Sequence, residues 1–172
     1  MIYAGEDLYG TYNLIKQAKL YAGRDIVNVK LTGQNNRSTD ITSIIAGRDI
    51  YADASRGANG SASTTFTLYG PGYFLIEAGR NLGPFTTTSS GSGIFAVGDG
   101  SNCTSAICGN VVKPYLPIEG ANITALFGVG PGMDVAAAIA SYVDPATANV
   151  AGINYLPDIA KILGVSEDQA WA

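Results

Sequence analysis

The side chains with the clearest chemical potential lie in two columns of a repeated pattern. The acidic or amide column consists of Asp7, Asp25, Asp49 and Asn81, and the basic column consists of Arg24, Arg48 and Arg80. The chain contains no histidine, which removes the commonest general base, the commonest metal ligand and every Ser-His or Cys-His nucleophile. Any chemistry would therefore depend mainly on carboxylates, guanidinium groups and tyrosines.

Both columns have a structural interpretation beside a functional one. Solenoids that bind Ca²⁺ use a Gly-Gly-x-Gly-x-Asp repeat, whereas each copy here has a single Gly at its corner. We therefore expect the acids to fix their own turns rather than to bind metal. The arginines are suited to a sulfated glycan, but Arg24 and Arg48 each precede an Asp, which favours paired, solvated charges.

A glycan-cleaving site is the enzymatic alternative. Such a site needs two or more carboxylates, or a basic residue beside a carboxylate, in one cleft. The best available acids are Asp53 with Asp49, or Asp40 alone, and the acids are otherwise spread singly over corners. We expect no catalytic residue, no cofactor-binding residue, no metal ligand and no cofactor.

Tyrosine and cysteine add two further expectations. Tyr3 and Tyr21 occupy the same outward position and can stack, either as a sugar platform or as a neutral exposed ladder. Cys103 and Cys108 are close in sequence, and in an exported protein they are expected to form a disulfide that closes a small loop. Zinc is not expected, because there is no histidine and no second cysteine pair.

The elements that carry these residues come from a four-copy repeat at residues 2–8, 20–26, 44–50 and 76–82. Relative to its glycine, each copy has Ile or Leu at −3, Ala at −1, Asp or Asn at +2 and Ile or Leu at +3. Positions −3 and −1 share one face of a strand, and the glycine permits a positive φ or a close backbone approach. Two interior stacks are predicted: Ile2, Leu20, Ile44 and Ile76; and Leu8, Ile26, Ile50 and Leu82.

Repeats of this kind with segments of variable length between them are typical of a solenoid. The sequence predicts an all-β, right-handed parallel β-helix over residues 1–132, with irregular loops after residue 84. Further inward residues are expected at Val27, Val29 and Leu31; Ile41 with Ile44; Phe66 with Leu68; and Phe74 with Ile76. Gly33 and Gly70 are predicted to be additional corners, and strands are expected at residues 94–98 and 123–130.

The pattern becomes helical after Met133. Apolar residues at helical spacing predict helices over residues 133–143 and 157–164, and Ser166 to Gln169 form a capping box for a third. We expect residues 133–172 to be short helices that cap the solenoid. A capping box so near the last residue favours a truncated piece of a longer protein.

Composition excludes several classes of function. Charged residues are 14% of the 172, against roughly 25% in ordinary globular proteins, and the formal net charge is −4. Ten scattered basic residues give no electrostatic footprint for nucleic acid. No run of 18 apolar residues is present, so no membrane insertion is expected.

The Ala-Gly-Arg-Asp-Ile segments at residues 22–26 and 46–50, with variants at 4–8 and 78–82, resemble the filamentous haemagglutinin family of very large bacterial exoproteins. The stretch at residues 126–132 and the Asp-Pro-Ala at 144–146 are similar to the C-terminal part of one subgroup. The resemblance implies a right-handed parallel β-helix, two-partner secretion through an outer-membrane partner, and adhesion to cells or surfaces.

With no histidine, no nucleophile motif and no clustered carboxylate pair, we expect a non-catalytic structural or binding segment. The resemblance implies that this segment belongs to a secreted adhesin at the bacterial cell surface. Its partner would be a glycan or protein receptor on a host cell or surface. The alternatives are a polysaccharide-cleaving β-helix enzyme and a purely structural stalk that carries a functional tip elsewhere.

Overall fold

A computed structural model describes residues 1–57, 60, 62–87, 91–128, 140, 143–146 and 156–171. The strands are β1 (Ile2–Ala4), β2 (Leu8–Asn13), β3 (Lys19–Ala22), β4 (Ile26–Gln34), β5 (Ile41–Ala46), β6 (Ile50–Tyr51), β7 (Thr65–Tyr69), β8 (Tyr73–Ala78), β9 (Gly93–Gly98) and β10 (Asn122–Phe127). The helices are a 3₁₀ turn (Ala54–Arg56), α1 (Ser105–Cys108), α2 (Leu156–Leu163) and α3 (Glu167–Trp171). The all-β prediction is confirmed.

The strands form two sheets in which every strand pairing is parallel. The first sheet has the order β1-β3-β5-β8-β10, and the second has the order β2-β4-β7-β9 with β6 also paired to β4. The chain passes from one sheet to the other between most successive strands. Each new strand is therefore added beside the strand that preceded it in the same sheet, except that β6 and β7 both pair with β4.

The repeat sets the register of both sheets, and both predicted stacks are confirmed. Ile2, Leu20, Ile44 and Ile76 are successive Cα partners in the first sheet. Leu8, Ile26 and Ile50 are successive partners in the second, and Ile50 bridges Leu82. The inner members of both stacks are fully buried, so the fixed apolar positions of the repeat form one continuous core.

Close backbone approach explains the glycine at the second and third corners of the repeat, Gly23 and Gly47. A Cβ on Gly23 would lie 2.1 Å from the carbonyl oxygen of Gly5, and one on Gly47 would lie 2.3 Å from that of Gly23. Successive copies of the repeat, which form successive levels of the stack, are also hydrogen-bonded at their corners. The Gly47 amide donates to the carbonyl of Ala22 in the preceding copy at 2.9 Å. Side chains are excluded here because successive corners are stacked directly on one another.

Three sequence predictions about other positions are wrong. Gly33 lies inside β4 and pairs with Leu68, so it is not a corner. The sequence predicts that Ile41 points inward with Ile44, but Ile41 is 53% exposed. The two residues are three positions apart in β5, so their side chains lie on opposite faces of the strand, and Thr42 and Ile44 point inward.

The third correction concerns the face of β4. Asn28 has a φ of 53°, and the register with β2 shifts at this point. This bulge puts Ile26, Val29 and Leu31 into the core cluster, while Val27 is buried outside it. Gly70 follows β7 with a φ of 81°, as expected of a corner.

Residues beyond Pro131 form a separate compact unit, Gly132–Ala172. Its described part contains α2 and α3, close to the two predicted positions, while the helix predicted over residues 133–143 lies largely outside the described residues. The capping box is formed, since the Gln169 amide donates to Ser166 Oγ and the Ser166 amide donates to Gln169 Oε1. No helix in the described ranges is long and apolar enough to cross a membrane.

Replacing Gly47 with Ala should destabilise the unit Met1–Pro131 by about 3 kcal/mol, because the new Cβ would meet the backbone of Gly23 in the preceding copy of the repeat. Gly5→Ala is the matched control, since no atom lies within 4 Å of a Cβ at that corner. Urea unfolding followed by circular dichroism measures both. Equal midpoints for the two variants would contradict the close-stacking account.

Candidate functional site

The two polar columns form one ladder of ion pairs between successive repeats. Arg24 Nε donates to Asp7 Oδ1 at 2.7 Å, and the same geometry recurs for Arg48 with Asp25 and for Arg80 with Asp49, each at 2.9 Å. In each pair Nη2 of the arginine also donates to the second carboxylate oxygen, so the contact is bidentate. Each arginine therefore binds the aspartate of the preceding copy.

Each aspartate also holds the backbone of the following copy. Oδ1 of Asp7 accepts the amide of Asp25 at 3.3 Å, Asp25 accepts that of Asp49 at 3.2 Å, and Asp49 accepts that of Asn81 at 3.1 Å. These carboxylates are nearly buried, whereas the arginine side chains are about half exposed. The prediction that each acid fixes its own turn is wrong, because the bonds run between levels.

The electrostatics agree with this geometry. The hydrogen bond from Arg24 holds the pKa of the Asp7 carboxyl far below its usual range, although burial acts in the opposite direction. The hydrogen bond from Arg80 lowers the pKa of Asp49 in the same way, and the carboxylate partners raise the pKa of Arg24, Arg48 and Arg80. These two carboxylates and three guanidinium groups therefore stay charged at neutral pH.

The sequence also explains where the ladder changes. The first copy has Glu6 where the later copies have arginine, and Glu6 lies 3.4 Å from Arg24 as an additional partner. The fourth copy has Asn81 where the others have aspartate, and its Nδ2 donates to Asp49 at 3.0 Å. No arginine of a fifth copy binds Asn81 within the described ranges, so an amide at this position leaves no unpaired charge.

The aspartate and arginine columns are poorly suited to binding a metal ion or a sulfate group. Each ladder carboxylate already has a bidentate arginine, and the described residues contain no group of three potential ligands that could hold a metal ion. The arginines keep outward surface, but their Nε and Nη2 atoms are engaged. The expected pairing of arginines with their own neighbours is limited to Arg48 and Asp49, at 3.8 Å.

The acids considered for catalysis do not converge in one cleft. Asp53 caps the 3₁₀ turn by accepting from Ser55, and it lies 3.4 Å from Arg56. Asp40 accepts the amides of Asn36 and Arg37 at 2.8 and 3.1 Å and therefore closes its own loop. Each acid has a structural partner, and none of these pairs includes a second carboxylate.

Two asparagines have roles that the sequence did not indicate. The Asn28 side chain makes a reciprocal pair of bonds with the backbone of Asp53, donating from Nδ2 and accepting at Oδ1. Asn35 is fully buried, and its Nδ2 donates to the carbonyls of Asp40, Pro71 and Tyr73. The only available signal was an amide residue near a turn, which is common to many surface loops.

The aromatic prediction for Tyr3 and Tyr21 is confirmed as a stack. Their ring centroids lie 5.3 Å apart with an interplanar angle of 3°. Tyr3 is 64% exposed, so the pair presents an aromatic edge to solvent. Arg56 lies over the Tyr9 ring and hydrogen-bonds its hydroxyl, which adds a second aromatic group near this end of the repeat.

The irregular part after residue 84 contains a small second core. Cys103 and Cys108 are disulfide-bonded with a Cα separation of 6.0 Å, which confirms the predicted bridge. Cys108 packs with Tyr69 and Leu116. Lys113 lies over the Tyr69 ring and donates to Gln34 Oε1 at 2.6 Å, and burial lowers the pKa of the Lys113 ammonium.

The open clefts among the described residues include the three that follow. The first adjoins Arg80 and Asn81, the second lies on the outer face of the second sheet, and the third lies between β9 and the disulfide loop. The second is the most polar in its lining residues, which include lysine, serine and threonine but no carboxylate. Comparison with protein families, with curated proteins and with solved structures finds no match.

The ladder predicts a large effect from a small change at Asp25. Asp25→Asn should destabilise the chain by about 1–2 kcal/mol, because a buried acceptor of two Arg48 bonds loses its charge. Asp53→Asn is the control, since asparagine caps a helical turn as well as aspartate does. Thermal unfolding measures both. A midpoint for Asp25→Asn equal to that of Asp53→Asn would contradict the ladder.

Acid should weaken the same interaction. The pKa values of Asp7 and Asp49 are lowered in the folded chain, so their contribution is present above the unfolded value of about 4 and is lost as pH falls through the folded values. The urea midpoint should hold from about pH 7 to about 5 and decline below about 4. Asp49→Asn should decline less steeply. Constant stability down to about pH 2 would refute this assignment.

Proposed function

We propose that this chain is a non-catalytic structural and binding segment of a large secreted bacterial adhesin. The observation that carries the proposal is that the fixed positions of the repeat all have a structural role. Every fixed position, including each ladder acid, is engaged in stacking one copy on the next. Enzymes usually interrupt their own pattern where chemistry is placed, whereas these four copies keep a common pattern.

The finer architecture that we propose is a right-handed parallel β-helix. Support comes from the alternation of strands between two parallel sheets and from the in-register corners. The handedness follows the general rule for parallel strands of one sheet joined by a crossover connection. In this arrangement the spacing between corners varies because surplus residues leave the stack as loops.

The resemblance of the repeat to filamentous haemagglutinins supports the biological part of the proposal. In that setting the parent protein is exported by two-partner secretion and displayed at the bacterial surface. The segment would meet a glycan or protein receptor on a host cell or another surface. The irregular loops after residue 84 suit recognition, because loops held on a rigid scaffold are where binding is usually found.

A purely structural stalk is the second candidate, and the ladder favours it specifically. Three bidentate ion pairs aligned along one edge make a stiff, regular element that needs no ligand. A stalk and an adhesin segment differ in one measurable property. Only the adhesin segment attaches to another surface by itself.

Attachment of beads coated with the full chain to cultured epithelial cells tests the proposal. We expect coated beads to attach above an albumin-coated control, and soluble chain to compete with them. Attachment no greater than that of albumin beads would contradict the binding role and leave the stalk. An assay for new reducing ends or unsaturated products with soluble polysaccharides covers the enzymatic alternative, and any cleavage would overturn the non-catalytic assignment.

A further inference from the structure

A polar cleft lies on the outward face of the second sheet. Its volume is about 410 Å³, within the range of small-ligand sites. Its floor contains Lys30 and Thr32 of β4 with Thr65 and Thr67 of β7. One wall comes from α1, which presents Ala106 and Ile107.

The floor of the cleft is a regular grid. Lys30 pairs with Thr65, and Thr32 pairs with Thr67, as direct Cα partners on neighbouring strands. Neighbouring strands lie about 4.8 Å apart, and the two pairs are about 6.6 Å apart along the strand. Four polar side chains therefore project from a patch about the size of one sugar ring.

These floor groups are unused by the protein. Within the described ranges, the hydroxyls of Thr65 and Thr67 and the ammonium of Lys30 make no hydrogen bond or ion pair with another protein group. Thr67 is only 3% exposed, yet it lines the cleft. No side-chain oxygen in the described part of the chain is both buried and without a hydrogen-bond partner, so the Thr67 hydroxyl reaches the cleft and is available to a ligand there.

The geometry points to a binding site for an oligosaccharide that carries a carboxylate. Threonine hydroxyls both donate and accept hydrogen bonds, as sugar hydroxyls require. Ala106 and Ile107 supply an apolar wall for the C–H face of a ring. Lys30 is the charged group of the lining, and no carboxylate lines the cleft, so an acidic sugar is favoured over a neutral one.

This inference rests on the proposed binding function and assigns it a place and a ligand class. The cleft lies where the regular sheet meets the irregular loops, so the floor is set by strand register and the wall by α1. The disulfide joins Cys103 to Cys108, the last residue of α1, which ties down the wall that contains Ile107. Ile107 and Cys108 also pack with Tyr69 of β7, so the wall is attached to a strand of the floor, which reduces the ordering cost of binding.

The test measures the affinity of the full chain for tetragalacturonate and for its fully methyl-esterified form by isothermal titration calorimetry. The two probes share one skeleton and differ in the carboxylate charge. We expect the acidic probe to bind with a dissociation constant on the order of 1 mM and the ester to bind about tenfold more weakly.

Paired variants locate the site. Lys30→Met should weaken tetragalacturonate binding about tenfold and abolish its advantage over the ester, whereas Lys19→Met, on the other sheet, should change nothing. Thr67→Val should weaken both probes about fivefold, and Thr124→Val in β10 is its control. Unfolding midpoints measured in parallel ensure that each variant is folded.

Equal affinity for the two probes, or affinities unaffected by Lys30→Met and Thr67→Val, would overturn the assignment of this cleft. Absence of binding to either probe would overturn it as well. The bead assay separates this result from failure of the proposed function. Attachment retained by both cleft variants would leave the adhesin proposal standing without this site. Absence of attachment by the unmodified chain, with selective binding of the acidic probe intact, would overturn the adhesin proposal and leave the cleft.

Discussion

Each copy of the repeat is held to the next by a nearly buried aspartate that reaches across the boundary between levels. Asp25 illustrates the arrangement, since it binds the Arg48 guanidinium through both oxygens and also accepts the Asp49 amide. A carboxylate so placed is costly unless its lone pairs are satisfied, and the following copy satisfies them. The interaction therefore favours one register of stacking, because a shift of a single residue would leave a buried charge without its partner.

The glycine corners and the apolar stacks depend on that same register. Gly23 and Gly47 permit the close approach that brings each arginine within reach of the aspartate in the preceding copy. Ile44 and Ile76 meet in the core only when the corners coincide. Steric, apolar and ionic constraints therefore agree on one alignment, which is the consistency expected of a sequence that specifies a single fold. The outward faces of the two sheets do not take part in aligning the copies, and the polar cleft lies on the outward face of the second sheet.

Much of this arrangement could be predicted from the sequence, because a repeat displays its own register. The stacks through Ile44 and Ile50 follow from the pattern. The disulfide follows from two nearby cysteines together with the export that the family resemblance implies. The partners of the ladder could not be assigned, since Arg48 has an aspartate beside it in sequence and another in the preceding copy, and sequence distance favours the wrong one. The bulge at Asn28 and the pairing of Lys30 with Thr65 depend on contacts between distant segments that no local pattern contains.

The most direct test of this account is a pair of double-mutant cycles on Arg48, one with Asp25 and one with Asp49, each measured by urea unfolding. Arg48→Gln is combined with Asp25→Asn in the first cycle and with Asp49→Asn in the second. We expect a clear favourable coupling between Arg48 and Asp25 and a markedly smaller one between Arg48 and Asp49. Equal couplings, or a larger one with Asp49, would mean that the charges pair within a copy, and the ladder between copies would be wrong.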